Sequence, residues 1–346
     1  MVNPSDRSGW GHDREGSHVA SLCRERGDPV VEVPSARPCR QARVVKTDQT
    51  PPDVEIVGAG FAGLACARTC AARGLRTVVW ERKRDPGEAI HTTGLLVKEA
   101  ADEEDPPLEL TRRIHGVRLY GPSLSWIDLD APGYYFLATD TAELMRTLAH
   151  RAEEAGAQIR CGRPFPGSRT GRILVGADGP RSRVAQDAGL GRNRRFLSGV
   201  EAEFVGLQGV EERLHVFLDS QLAPGYIAWV VPGVGITQIG LACRRPTRPD
   251  LGAFLRKLQG LFDFSRARRV GTRGGLIPVG GTVRPFATHD VVLVGDAGGS
   301  CHRSRPAAST PRCAPAVPPA SPSRADSWTT VLRSRARSRG PTPGSS

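Results

Sequence analysis

A buried tetrapeptide that runs into three spaced glycines constrains this chain more than any other feature. Val54, Ile56 and Val57 read as a short buried strand, Gly58, Gly60 and Gly63 set a G-x-G-x-x-G spacing, and Leu64-Ala65-Cys66-Ala67-Arg68 opens a helix of small residues. In that order Gly58 permits the tight turn out of the strand, Gly60 lets a pyrophosphate approach the backbone, and Gly63 lets helix and strand pack closely. The helix N-terminus then faces phosphates with free N–H groups and a partial positive charge. Among 40 glycines the spacing alone is weak, and an ordinary Gly-rich turn is the plain alternative. Context favours the ligand. The helix is expected to run to Arg73-Gly74, and a second strand, Thr77-Val78-Val79-Trp80, ends in Glu81. An acidic residue about 20 positions on suits a ribose 2′-hydroxyl.

The ends of the chain dilute its hydrophobic content. The 346 residues leave room for one large domain or two, but only 39% are hydrophobic. Residues 1–52 are rich in Arg, Pro, Ser and Asp, and residues 300–346 are mostly Ser, Arg, Pro and Ala. Their composition predicts disorder at both termini and a folded part at 53–299. The net charge of +12 is distributed in the same way, since the stretch from 300 carries eight Arg against one Asp. No aromatic-basic platform accompanies that charge, so no specific nucleic-acid binding is expected. Four Lys against 44 Arg read as codon bias of a GC-rich genome. The eight cysteines form no C-x-x-C. Cys66 and Cys70, one helical turn apart, read as buried small residues rather than a metal pair. No disulfide framework, leader or long apolar run is visible, which predicts a cytoplasmic protein with room for peripheral membrane contact.

Further along, Ile90-His91-Thr92-Thr93-Gly94-Leu95 forms a small polar loop, and His91 there is an acid, a hydrogen-bond donor or a plain loop residue. Val117–Tyr120 and Ser125–Leu129 alternate as strands exposed on one face. Asp140-Thr141-Ala142-Glu143 starts a helix with Leu144, Leu148 and Ala152 on one side, ending at Gly156, and residues 157–161 return as a strand. Arg172–Gly176 is a buried strand running into Ala177-Asp178-Gly179. Asp178 there suits either a cofactor crevice or an Asx turn. Residues 200–245 alternate as an antiparallel sheet, 251–262 form a short helix, and 274–281 a Gly-framed strand. Asp290–Val294 is a buried strand ending in Gly295-Asp296-Ala297, where the aspartate suits ribityl or ribose hydroxyls.

These three glycine-framed stretches, taken in order over 53–299, resemble the FAD-dependent enzymes of the p-hydroxybenzoate hydroxylase-like fold. Within that group the chain looks most like the geranylgeranyl reductase relatives. Pro224–Gly233 is similar to their Tyr/Trp/Pro strand beside the substrate cavity, and Gly274-Gly275-Leu276-Ile277-Pro278 to their Gly-Gly-x-Ile-Pro strand. The resemblance implies a fold that is α/β plus α+β, a Rossmann-like FAD-binding domain with an inserted antiparallel-sheet substrate domain. The expected division is 53–120, 138–185 and 270–299 for FAD, and 121–137 and 186–269 for substrate. It also implies FAD contacts from Gly58, Gly60, Phe61, Ala62, Gly63, Glu81, Arg82, Thr93, Gly94, Asp178, Gly179 and Asp296, with Tyr226 and Trp229 beside the substrate.

The chemistry implied is the flavin's: hydride delivery to an alkene of an isoprenoid-type or other apolar substrate, or hydroxylation of an aromatic or polyketide as the alternative. A truncated, non-catalytic dinucleotide-binding remnant is the third reading. No second G-x-G-x-x-G is present, so NAD(P)H is expected only as a transient electron donor. No acid–base dyad stands out, so no catalytic residue is named, and no metal is expected. Thr141 stands where these relatives commonly carry Arg. Where they continue with Pro and a Gly-Gly helix start, Ser300-Cys301-His302-Arg303 follows here, and the stretch reads like an out-of-frame translation.

Overall fold

The computed structural model describes residues 50–299. The expected disorder at 1–52, apart from residues 50–52, and at 300–346, with the out-of-frame reading of the latter, lies outside the described residues. In chain order come β1 (Val54–Val57), α1 (Phe61–Ala71), β2 (Thr77–Trp80), β3 (Leu95–Val97) and α2 (Lys98–Glu104). Then follow β4 (Thr111–Ile114), β5 (Val117–Tyr120), β6 (Trp126–Leu129), β7 (Phe136–Thr139), α3 (Thr141–Glu154), β8 (Gln158–Arg160), β9 (Ile173–Gly176) and α4 (Arg183–Asp187). The chain continues through β10 (Phe196–Val205), β11 (Leu214–Phe217), β12 (Ala228–Pro232), β13 (Thr237–Arg244), α5 (Leu251–Leu258), β14 (Arg268–Pro278) and β15 (Val291–Leu293).

Five of these strands form a parallel sheet in the order β15-β9-β1-β2-β8. Its central strands are apolar throughout because helices cover both faces of such a sheet. Glu55 is the exception, buried in β1. Its carboxylate accepts the N–H groups of Thr170 and Gly171, each at 2.8 Å, and of the Trp80 indole at 3.2 Å. The buried charge is thereby satisfied and ties the 170–171 turn to the sheet. Helix α3 begins where expected. Asp140 accepts the Glu143 N–H at 3.2 Å, a cap that contributes about 1 kcal/mol. Leu144, Leu148 and Ala152 fall on its buried side together with Met145 and Ala149.

A second sheet has seven strands in the order β14-β10-β13-β12-β11-β5-β6. One face packs Ala202, Phe204, Val230, Ile239 and Leu241 against Phe254 and Leu258 of α5. The opposite face carries Leu197, Val216, Trp229, Val231 and Ala242 into the same core as β1 and α1. The strands of 200–245 pair antiparallel as expected, and two further features of this sheet stand out. The sheet is not wholly antiparallel, since β11 pairs with β5 in parallel. The β5–β6 hairpin lies within this sheet as a unit, so the expected boundary at 120/121 falls inside it. The hairpin also departs from the alternating pattern, because β6 is an edge strand. Trp126, Ile127 and Leu129 are all exposed, so both of its faces carry uncovered apolar residues. A third sheet of three strands, β3-β7-β4, follows the His91 loop.

Candidate functional site

Three turns leave the parallel sheet at one end, side by side. Val57 is in register with Trp80 and with Gly176, and Gly176 with Leu293. The residues that follow, Gly58, Glu81, Asp178 and Asp296, therefore gather at the carboxyl ends of adjacent strands. Ligands of open α/β sheets bind at this place.

The glycine turn is built by close approach. Gly58 has φ +102°, and a Cβ there would lie 2.5 Å from the Ala177 carbonyl oxygen. At Gly63 a Cβ would lie 1.9 Å from the Gly58 carbonyl oxygen, so α1 could not start where it does. Gly60 is the opposite case. It is exposed, and nothing lies within 4 Å of a Cβ built on it. It caps α1 with no side-chain hydrogen bond, and the first turn, which begins with Phe61 and Ala62, contains no acidic residue. The amide end of α1 thus faces open space with its N–H groups uncompensated.

Glu81 is buried, and each carboxylate oxygen accepts one backbone N–H: Oε2 from Ala59 at 2.8 Å and Oε1 from Lys83 at 2.9 Å. The side chain fixes the glycine turn and retains lone pairs for a ribose. Arg82 beside it is exposed.

Asp178 forms no Asx turn and instead holds the next helix from a distance along the chain. Its Oδ2 accepts the N–H groups of Arg183 at 2.7 Å and Val184 at 3.1 Å, holding the start of α4, while its Oδ1 is buried with no partner. Gly179 follows with φ +85°. Asp296 sits in the 3-10 turn Gly295–Gly298, and burial pushes its pKa up to about 6. Asn193 escaped sequence reasoning, because Gly191-Arg192-Asn193-Arg194 has no periodicity and no turn signature. Its Nδ2 donates to the Pro180 carbonyl at 3.1 Å and the Asp296 carbonyl at 2.7 Å, bridging two of the three turns, and its Oδ1 is also buried without a partner.

Thr93 and Gly94 are anchored elsewhere. Gly94 accepts the Thr139 N–H at 3.0 Å and hydroxyl at 2.9 Å, and a Cβ on it would meet the Thr141 hydroxyl. Thr141, in the place of an expected arginine, is the residue this loop packs against. His91 reaches the other sheet, donating Nδ1–H to the Gly274 carbonyl at 2.9 Å. Trp229 is buried and donates its indole N–H to Glu201 at 2.7 Å, and Tyr226 packs against the same core. Glu201 read as one polar position of an alternating strand, and nothing in the sequence marked it as buried.

These features fit a flavin dinucleotide. An open, uncapped helix end suits a pyrophosphate, and two buried acceptors without donors suit a polyhydroxylated chain. Among the described residues no cluster of His, Cys, Asp and Glu could hold a metal ion. No helix among them is long and apolar enough to cross a membrane.

Comparison with known proteins gives the following. Residues 53–160 match the family described as FAD dependent oxidoreductase (DAO). A digeranylgeranylglycerophospholipid reductase of Methanothermobacter thermautotrophicus is 28% identical over 283 residues, covering 71% of this chain and 70% of that protein. The crystal structure of a geranylgeranyl bacteriochlorophyll reductase-like protein from Thermoplasma acidophilum superposes with a TM-score of 0.64 at 23% identity, covering 72% of each chain. An aklavinone-11 hydroxylase, solved with FAD and aklavinone, superposes with a TM-score of 0.53 at 20% identity, covering 71% of this chain and 57% of that one.

Proposed function

We propose that this chain, an FAD-dependent oxidoreductase of the geranylgeranyl reductase-like kind, reduces a carbon–carbon double bond in an isoprenoid-type or other apolar substrate. The observation that carries the reading is the convergence of the Gly58, Asp178 and Asp296 turns at one end of the parallel sheet, in a chain whose curated relatives are reductases. The hydroxylase likeness is one of fold, at 20% identity, and supports no second reading by itself.

In this proposal Gly58, Gly60, Phe61, Ala62 and Gly63 receive the pyrophosphate, and Glu81 and Arg82 the adenosine ribose. Asp178, Gly179 and Asp296 accept from ribityl hydroxyls, and Thr93 and Gly94 line the flavin side. A bound flavin, once reduced, supplies the hydride. The protein's own contribution is to hold and orient: Glu81 fixes the turn, Asn193 ties the two aspartate turns together, and Leu197, Val216, Val231 and Ala242 on the inner face of the seven-stranded sheet help exclude water. Tyr226 and Trp229 belong to that face. The division into a FAD part and a substrate part is retained, with the β5–β6 hairpin assigned whole to the substrate part. NAD(P)H serves as a transient donor. The compartment proposed is the cytoplasm, with the exposed Trp126, Ile127 and Leu129 of β6 available for peripheral membrane contact.

The test is anaerobic. FAD-loaded protein is reduced with dithionite and mixed with a prenyl alkene, and flavin reoxidation and saturated product are measured. Reoxidation with product formation supports the reading. No anaerobic reoxidation, with hydroxylated product appearing once oxygen is admitted, would replace it by a monooxygenase.

A further inference from the structure

The face of the seven-stranded sheet turned away from α5 carries a polar cluster that the cofactor reading leaves unused. Arg273 of β14, Glu201 of β10, Gly240 of β13 and Trp229 of β12 stand side by side in register. Arg273 donates Nε–H and Nη2–H to Glu201 Oε1 at 2.8 and 2.6 Å. The Trp229 indole reaches Glu201 Oε2 by lying over Gly240, where a Cβ would come within 2.5 Å of the ring. One row along, Glu203 pairs with Arg273 Nη1 at 3.0 Å and is in register with Gln238. Gln238 is 1% exposed, and its Oε1 has no hydrogen-bond partner. On the other side of the Arg273 row is Gly275, against which His91 packs, two residues or about 7 Å along the strand. The cluster therefore lies next to the loop that spans the two sheets.

Its composition is unbalanced in two ways. Two carboxylates face one guanidinium, so one negative charge is in excess. All three guanidinium nitrogens already serve carboxylates, whereas Glu203 and Gln238 keep unused acceptor lone pairs. The side chains of Glu201 and Arg273 are 5% and 15% exposed, and that of Glu203 is 25% exposed, so the cluster is shielded yet reachable. A partly dehydrated surface with surplus acceptors and surplus negative charge favours a donor and disfavours an anion.

We infer that this face receives a hydrogen-bond-donating, non-anionic end of the substrate, such as an alcohol presents, and keeps a phosphate end away from it. The inference rests on the alkene-reductase reading above and specifies its substrate class. The relative's phospholipid substrate is thereby not carried over to this face.

The full chain loaded with FAD is titrated calorimetrically with a prenyl alcohol and a prenyl monophosphate of equal chain length. The alcohol is expected to bind about tenfold tighter or more. In Glu203→Gln, which removes the excess charge and keeps the shape, the gap should close to within about threefold. In Gln238→Leu, a second and independent probe, alcohol affinity should fall severalfold while monophosphate affinity stays as it was. Monophosphate binding as tight as alcohol in the unaltered chain overturns the inference and leaves the reductase reading standing, as does a gap that neither substitution changes. Failure of both ligands to bind overturns both.

Discussion

The backbone N–H of Ala59 donates to Glu81 Oε2 at 2.8 Å, so the residue between the first two glycines hangs on a carboxylate 22 positions away. The acidic residue at the end of the second strand thus shapes the phosphate turn before any ligand arrives. Glu81→Ala would leave the buried N–H groups of Ala59 and Lys83 without an acceptor. A loss of about 1–3 kcal/mol in urea unfolding is expected, together with loss of FAD on desalting. Glu81→Gln, which keeps one acceptor oxygen, should fall between the two. Full stability in Glu81→Ala would show the tie to be unimportant.

The glycines of the turn separate by what surrounds them. Gly63→Ala forces a Cβ to within 1.9 Å of the Gly58 carbonyl and should lower stability by about 3 kcal/mol. Gly60→Ala meets nothing within 4 Å and should leave the apoprotein's melting unchanged to within about 0.5 kcal/mol, while FAD affinity falls by about tenfold or more. Equal losses of stability in the two variants would refute this separation. Fluorescence quenching of added FAD and thermal melting measure it.

If Asp296 faces the cofactor as proposed, FAD binding should depend on pH. Burial raises its folded pKa from 3.8 to about 6, so the ionised form is disfavoured in the fold. That penalty is absent below pH 4, grows between 4 and 6, and is complete above. Flavin hydroxyls donating to the ionised carboxylate would lower the pKa again, releasing a proton on binding near pH 5–6. FAD affinity should therefore tighten as pH rises from 5 to 7, and Asp296→Asn should flatten that slope. The apoprotein of Asp296→Asn should gain stability over the unaltered chain at pH 7 and lose that advantage at pH 4. A pH-independent affinity in the unaltered chain would mean that Asp296 does not face the cofactor.

Trp229 and Gly240 form one packing unit. Gly240→Ala should push the indole off its place, break its bond to Glu201 and lower stability by about 1–3 kcal/mol. Trp229→Phe keeps the ring but leaves Glu201 Oε2 without its donor, with a cost of similar size. If the face holds substrate, both variants should raise KM for the alkene more than they lower kcat. Trp229→Phe with unchanged stability and KM would remove this residue from the site.

The parallel sheet was legible because its signals are local: apolar strands, positive-φ glycines and acidic strand ends each occupy a few adjacent residues. The cap at Asp140 and the helix ending at Gly156 were legible for the same reason. What the sequence hid depends on partners far along the chain. Val117–Tyr120 reads as a strand exposed on one face, yet its parallel pairing with β11 places it inside the larger sheet, with Val117 and Leu119 against one core and Tyr120 in another. Glu201 looks like the wet side of a strand, but both faces of β10 are covered at that point, and Glu201 is 4% exposed. Asn193 acts through two backbone carbonyls, and no side-chain pattern announces such a role. The candidate FAD residues come from the glycine spacing together with the family resemblance, whereas the polar cluster around Arg273 needed strand register.

The order β15-β9-β1-β2-β8 also sets a timetable for synthesis. β1 and β2 emerge early, but β9 ends at Gly176 and β15 at Leu293, so the central strand waits more than a hundred residues for one neighbour and the sheet waits longer for its last. Parallel pairing over such separations is slow, because the intervening chain must be ordered before the contacts reward it. Until β8 and β9 are made, the nascent β1–α1–β2 unit has both sheet edges open, and afterwards the β9 edge stays open until β15 arrives. In the proposed site, FAD could add its stabilisation only after Asp296 has been synthesised.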